Sequence, residues 1–311
     1  MATPAKIYDV LIIGAGPAGL STALGLARQT YSALVFDSQQ YRNSYAQHMH
    51  NVVTWDHQHP AEFRAAAREN LQSRYKSIHF NNATAVSAIK KEDGTFEVTD
   101  QLLNKYQGKK LALATGVTDL FPDIKGFGNL WGKSIFHCLF CHGFELRGAA
   151  SAGVLATGLI SQPSIILHMA RMAAPLAGKL TVYCNGNGGL AEEAKREFAD
   201  KPLTIEPRKI ASLDPKGEHI IVRFEDGDSK EEAFMVSVPS VSINGPFHEQ
   251  LGLELDPMGY IKTSSPHNET SVQGVFAAGD CGTLIKSVPQ AIAMGSFAAG
   301  GLVGQLGAAR F

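Results

Sequence analysis

Ile7-Tyr8-Asp9-Val10-Leu11-Ile12-Ile13-Gly14-Ala15-Gly16-Pro17-Ala18-Gly19 is the stretch whose reading decides the fold. Its first seven residues are an apolar run of strand length, after which Leu20, Leu24 and Ala27 recur at helical spacing. A second apolar run, Ala33 to Phe36, ends at Asp37. The segment therefore predicts strand, glycine turn, helix, strand and acid, in that order. In such a unit one glycine makes the tight turn, one lets a pyrophosphate approach the backbone, and one lets helix and strand pack closely. The pyrophosphate rests on the helix N-terminus, where free N–H groups and the dipole favour an anion. Asp37 follows Gly14 by 23 positions, where an acidic side chain reaches ribose hydroxyls. A lone glycine motif is weak, but the five features in sequence identify a dinucleotide-binding βαβ start.

Working outward, Pro60 to Arg74 reads as a helix and Ala83 to Thr99 as a hairpin broken at Glu92-Asp93-Gly94. Lys110 to Ala114 is a further buried strand closing on Thr115-Gly116. From about Phe121 the pattern restarts, with strands at Gly153 to Thr157 and Leu180 to Cys184 and helices at Gln162 to Ala174 and Gly189 to Ala199. The chain then returns through Pro239 to Pro246 and ends in Gly274-Val275-Phe276-Ala277-Ala278-Gly279-Asp280 and a long apolar segment. The fold class expected is α/β, with two Rossmann-like, three-layer nucleotide-binding domains. The first is discontinuous, over 1–118 and 244–311, and the second is inserted at 119–243.

The 311 residues, 44% of them hydrophobic, suffice for two domains with cores of their own. A formal charge of −1 with interspersed charges offers no basic stripe for a phosphate backbone, so no nucleic acid partner is expected. Met1 to Lys6 lacks the charged-then-apolar design of a signal peptide, which predicts a cytoplasmic protein. Pro289 to Leu306 approaches the length of a membrane span, but Gln290, Ser296, Gln305 and four glycines mark it as a buried helix of a large domain, and no membrane partner is expected. Cys138, Cys141, Cys184 and Cys281 are too few and too scattered for a disulfide framework. Cys138 and Cys141 are separated by two residues, so they can close a small ring and shuttle between dithiol and disulfide. A zinc reading of this pair with His137 and His142 fails because no second ligand pair follows at finger distance.

Gly-Ala-Gly-Pro-Ala-Gly, Ala114-Thr115-Gly116, the Cys-x-x-Cys of the inserted domain and Ala277-Ala278-Gly279-Asp280 together resemble low-molecular-weight thioredoxin reductase over nearly the whole chain. Cys138-Leu139-Phe140-Cys141-His142-Gly143-Phe144-Glu145 resembles more closely the thioredoxin reductase-like dithiol oxidases of secondary metabolism, such as those that close the disulfides of gliotoxin and holomycin. The resemblance implies FAD, held by Gly14, Ala15, Gly16 and Pro17, by Asp37, Ser38, Gln39 and Arg42, by His50 or Asn51, by Ala114 and by Asp280. Gln290 and Ala291 are expected to begin the long helix, whose positive end faces the flavin. The resemblance further implies a homodimer, places Cys141 against the flavin, and turns Cys138 toward a small-molecule dithiol. Molecular oxygen is the expected electron acceptor, giving hydrogen peroxide.

The attacking species is a thiolate, and an unperturbed thiol near pKa 8.5 is mostly protonated at neutral pH. His142 stands where thioredoxin reductases have an aspartate, and is the candidate base. The inserted domain departs from a reductase in its nucleotide motif. Ala156-Thr157-Gly158-Leu159-Ile160-Ser161 keeps one glycine, and the next strand leads into Tyr183-Cys184-Asn185-Gly186-Asn187 without an arginine or lysine for a 2′-phosphate. A disulfide reductase fed by NADPH or a ferredoxin, and a non-catalytic flavin redox sensor, are the alternatives at this stage.

Overall fold

The computed structural model of the chain describes residues 6–310, so Met1–Ala5, on which the reading of the N-terminus largely rests, lie outside the described residues. The chain forms two compact units, one of Met1–Ser44, Val52–Thr118 and Ile243–Phe311, the other of Tyr45–Asn51 and Asp119–Ser242. The short run Tyr45–Asn51, which the sequence reading kept with the first segment, groups with the second unit.

In the first unit, β1 (Ile7–Ile13), α1 (Pro17–Arg28) and β2 (Ala33–Phe36) form the predicted βαβ start. They are followed by α2 (Pro60–Arg74), β3 (Ile78–Asn81), the hairpin of β4 (Ala85–Lys90) and β5 (Phe96–Asp100), and β6 (Lys105–Leu113). The sheet runs β3-β2-β1-β6-β5-β4, with β1, β2, β3 and β6 parallel and the hairpin antiparallel. The late strand Val275–Ala277 pairs with Leu111–Leu113 of β6, continuing the line of β5. Val10, Leu11 and Ile12 of β1 are fully buried, as are Val35 and Leu111, and burying each such side chain contributes about 1.5–3 kcal/mol.

The register gathers the motif residues at one edge. Ile13 lies opposite both Phe36 and Leu113, and Leu113 opposite Ala277. The next residue of each strand, Gly14, Asp37, Ala114 and Ala278, therefore emerges at the carboxyl end of the sheet. Strand order reverses between β1 and β6, which is where doubly wound sheets bind their ligands.

The long apolar segment is a helix, Val288–Ala308, capped by Ser287 Oγ accepting from the Gln290 amide at 3.2 Å. It begins two residues before the predicted Gln290. By length and composition it could cross a membrane, but it packs on α1 through small residues. A Cβ on Gly295 would lie 2.2 Å from the Ala18 carbonyl oxygen, and one on Gly25 of α1 would lie 2.4 Å from Ala299 Cβ. That close approach explains the glycines and alanines which gave the segment its span-like composition.

The second unit has a five-stranded parallel sheet in the order Thr204–Glu206, Leu180–Tyr183, Ala152–Leu155, Phe234–Val236, Ile135–Phe136. Helices Pro163–Ala173 and Gly188–Glu197 make its crossovers, as the restarted pattern predicts. A three-stranded antiparallel sheet, Ile210–Lys216, His219–Phe224 and Ser229–Glu232, is an addition not anticipated from sequence.

Candidate active site

The cysteine pair follows the edge strand Ile135–Phe136 directly, at the carboxyl end of the second unit's sheet. Cys138 and Cys141 are joined in a disulfide with Cα atoms 5.3 Å apart. Leu139–His142 form a single helical turn, and Cys138 Sγ accepts from the Cys141 amide at 3.1 Å. Leu139, 8% exposed, anchors the turn in the apolar core. Gly143 permits the exit, since a Cβ there would lie 2.2 Å from the Leu139 carbonyl oxygen. Phe140, between the cysteines, is 73% exposed, and Phe144 is 69% exposed. Phe144 is held outward by Arg147, whose guanidinium lies 3.9 Å from the ring centroid and donates to the Phe144 carbonyl at 2.7 Å.

His142 stacks on Phe136 and meets His50 edge-on, with ring centroids 5.0 and 6.2 Å apart. Burial pushes its imidazole down to about 4; the nearby His50 adds to the shift and Glu145 opposes it. His142 is therefore neutral at pH 7 and has a lone pair to accept a proton, though it is a weaker base than an exposed histidine. His137 stacks on Trp131, with centroids 5.8 Å apart. Of the other cysteines, burial raises the Cys281 thiol, and it raises Cys184 to about 11. Both are buried as neutral thiols, unlike the disulfide-bonded pair.

In the first unit the glycine cradle has the form a dinucleotide requires. Gly14, at φ +110°, leaves no room for a Cβ, which would lie 2.2 Å from the Ala114 carbonyl oxygen. A Cβ on Gly19 would lie 1.9 Å from the Gly14 carbonyl oxygen, so this glycine sets the helix-to-strand approach. Gly16 differs, since a Cβ there would meet nothing within 4 Å. Two glycines are thus required by the protein's own packing, while the third faces open space at the N-terminus of α1, where Ala15 and Pro17 flank it. That is the fit expected for a pyrophosphate.

Asp37 is buried, and its Oδ1 accepts from the Gln39 amide at 2.9 Å and from the Tyr41 hydroxyl at 2.7 Å. Its Oδ2 accepts from Arg68 at 3.1 Å, which leaves an acceptor position on that oxygen for a ribose hydroxyl. Ser38 turns to the surface, its Oγ accepting from the Gln40 amide at 3.4 Å. Arg42 pairs with Asp280 at 3.1 Å, both side chains largely buried, so it is more than a solvated surface residue. Gln290 and Ala291 occupy the first turn of the C-terminal helix, and Gln290 lines a cavity of about 310 Å3 with Asn268, Thr283, Met294 and Phe297.

His50 and Asn51, expected among the cofactor residues, are found on the dithiol turn. His50 Nδ1 donates to the Cys141 carbonyl at 2.5 Å and Asn51 Nδ2 to the Phe140 carbonyl at 2.9 Å. Sequence reading missed Arg68 and the role of Glu145. Glu145 was visible inside the octapeptide, but nothing in the sequence brings His50 to it, 3.4 Å away.

This geometry is matched by a known family. The pyridine nucleotide-disulphide oxidoreductase model matches residues 8–164 and 187–295, spanning the glycine cradle, the cysteine pair and the start of the C-terminal helix. The chain belongs to this family. It is 44% identical to "Thioredoxin reductase aclD" of Aspergillus oryzae, over 97% of each chain. It is 43% identical to "Thioredoxin reductase sirT" of Leptosphaeria maculans, over 97% of this chain and 95% of that one. Among solved structures, TrxB of Bacillus anthracis superposes with a TM-score of 0.90 at 29% identity, covering 98% of this chain and 100% of that one. The protein is thus a thioredoxin reductase-like oxidoreductase of the pyridine nucleotide-disulphide family, whose thioredoxin reductase-type members are flavoproteins.

Proposed function

We propose that this oxidoreductase is an FAD-dependent dithiol oxidase, which closes a disulfide within a small molecule carrying two thiols and delivers the electrons to dioxygen. The observation that carries this reading is the state of the second unit's nucleotide elements. From Cys184 to Ala194 there is no lysine or arginine, and Asn187 Oδ1 caps the helix Gly188–Glu197 by accepting from the Leu190 amide at 3.0 Å. Arg208, after the next strand, is engaged by Glu206, Asp226 and Asp228. Lys209, whose stem lies beside Gly186, is paired with Glu225 at 2.7 Å, and Lys195 with Glu192 at 2.7 Å. The cations near the place a 2′-phosphate would take are thus already engaged by carboxylates, which favours electrons supplied by the thiol substrate.

In this reading Gly14, Ala15, Gly16 and Pro17 hold the FAD pyrophosphate, Asp37 with Ser38 and Gln39 the adenosine ribose, and Ala114, Asp280, Gln290 and Ala291 the flavin half, with Arg42 fixing Asp280. When bound there, flavin would supply a two-electron acceptor for the reduced cysteine pair and a route for reducing dioxygen to hydrogen peroxide.

The steps at the protein are thiol–disulfide exchange. A substrate thiolate attacks Cys138 sulfur, the Cys138–Cys141 bond breaks, and Cys141 leaves as a thiolate while a mixed disulfide forms on Cys138. The second substrate thiolate attacks its partner sulfur in that mixed disulfide, forming the product S–S bond and releasing Cys138 as a thiolate. Two electrons are left on the cysteine pair and two substrate protons are released, and His142 is the residue this reading assigns to accept one. Phe140 and Phe144 flank the disulfide with exposed rings, which suits an apolar, uncharged substrate. The family resemblance also supports a homodimer.

The relatives named thioredoxin reductase favour one second reading, a disulfide reductase drawing on NADPH or a ferredoxin. Oxygen uptake in air with a small vicinal dithiol separates the two. The oxidase yields one hydrogen peroxide per disulfide formed and consumes no NADPH in the presence of thioredoxin. NADPH-dependent reduction of thioredoxin without dithiol-driven peroxide would overturn it.

A further inference from the structure

Four residues of helix cannot satisfy their own carbonyls. A turn that ends at His142 leaves the carbonyl oxygens of Phe140 and Cys141 beyond the reach of its own ladder. Both are supplied with donors from a segment about ninety positions earlier in the chain: Asn51 Nδ2 donates to Phe140 O at 2.9 Å, and His50 Nδ1 to Cys141 O at 2.5 Å. A carbonyl can only accept, so this contact fixes the proton on Nδ1 of His50. The same ring presents Nε2 to the Glu145 carboxylate at 3.4 Å and its edge to His142. Asn51 itself holds φ +66°, a left-handed conformation that asparagine tolerates better than most residues.

We infer that His50 and Asn51 are positioning residues of the dithiol, a clamp that caps the turn from outside and keeps the two sulfurs in reach when no bond joins them. With the disulfide closed, the covalent ring already restrains the turn. With it open, as a dithiol or as a mixed disulfide on Cys138, the restraint falls to hydrogen bonds, the Leu139 anchor and the stack of His142 on Phe136. Loss of the clamp frees the open form more than the closed form, since only the open form has freedom left to gain. The expected consequences are a disulfide that is easier to reduce and a slower ring closure.

The inference rests on Cys138 and Cys141 being the redox pair, but not on the direction in which the enzyme runs. Its test uses flavin-loaded protein and Asn51→Asp, which keeps the side-chain shape and left-handed preference but removes the donor. His50→Ala removes the second contact, and His50→Gln restores a donor. Flavin content, dithiol turnover and the equilibrium of the cysteine pair with a dithiothreitol buffer are measured for each.

Expected are unchanged flavin content, kcat reduced about tenfold with KM nearly constant, and a shift toward the reduced pair of at most about fivefold per lost hydrogen bond, the full net worth of one, with His50→Gln recovering part of both. Loss of flavin in step with activity would make these residues cofactor ligands and overturn the inference, as would an unshifted cysteine equilibrium. If the wild-type protein oxidises no dithiol yet Asn51→Asp still shifts that equilibrium, the oxidase reading fails and the clamp stands.

Discussion

The imidazole of His142 stacks on the Phe136 ring, with centroids 5.0 Å apart and planes 25° from parallel. The aromatic ring covers a face that would be hydrated in an exposed histidine, and burial of this kind is the main cause of the depressed pKa, with His50 adding to it and Glu145 opposing it.

A stability consequence follows with a definite sign. The unfolded chain binds a proton at His142 near pH 6.5, and the folded chain only near 4. Between those values the unfolded state holds more protons, so stability falls as the pH is lowered through this window and is fully present above it. The loss reaches about 3 kcal/mol at the acid end. Urea unfolding from pH 7 to 4 is expected to show a steeper loss for wild type than for His142→Leu. Parallel profiles would contradict the burial account.

The glycine cradle separates folding from ligand binding. Gly16→Ala adds a methyl group that meets no protein atom, so the variant should fold with a melting temperature close to that of the flavin-free wild type. The methyl intrudes where the pyrophosphate approaches, and flavin content should fall about tenfold or more. Gly19→Ala instead drives a Cβ to within 1.9 Å of a carbonyl oxygen and should destabilise the unit itself. Absorbance ratios and melting curves on the two purified variants distinguish these outcomes.

Exposed aromatic rings beside a disulfide should set substrate preference. Removing the Phe140 ring by Phe140→Ser is expected to raise KM for an apolar dithiol about tenfold and to leave KM for dithiothreitol within about twofold, since burying such a ring is worth roughly 1.5–3 kcal/mol. Steady-state kinetics with both dithiols checks this, and equal changes for the two would assign Phe140 to the turn's structure.

The first unit was legible because its information is local. Strand, glycines, helix, strand and Asp37 lie within 31 consecutive residues, Ile7 to Asp37, and parallel register then brings Gly14, Asp37 and Ala114 together without further instruction. The cysteine turn was legible for the same reason. Arg42 and Asp280 could be named separately, but their pairing joins residues 238 positions apart, and no periodicity encodes that distance. His50 or Asn51 entered as cofactor residues through the family resemblance, and their hydrogen bonds to the dithiol turn join positions about ninety residues apart, which no local pattern encodes. Only the folded chain shows that this short run serves the second. The sheet of Ile210–Lys216, His219–Phe224 and Ser229–Glu232 was missed because the apolar Ile221 lies on the outward face of its strand and the charged Glu232 is buried on its neighbour, so polarity does not follow the alternation of burial.

The most direct test of dithiol oxidation is anaerobic flavin absorbance of the purified protein, mixed separately with a small dithiol and with NADPH, before air is readmitted. Bleaching by the dithiol and not by NADPH, with recovery and hydrogen peroxide on aeration, is the predicted result. Rapid bleaching by NADPH would mean that the second unit still binds the nucleotide without its phosphate clamp, and the oxidase account would be wrong.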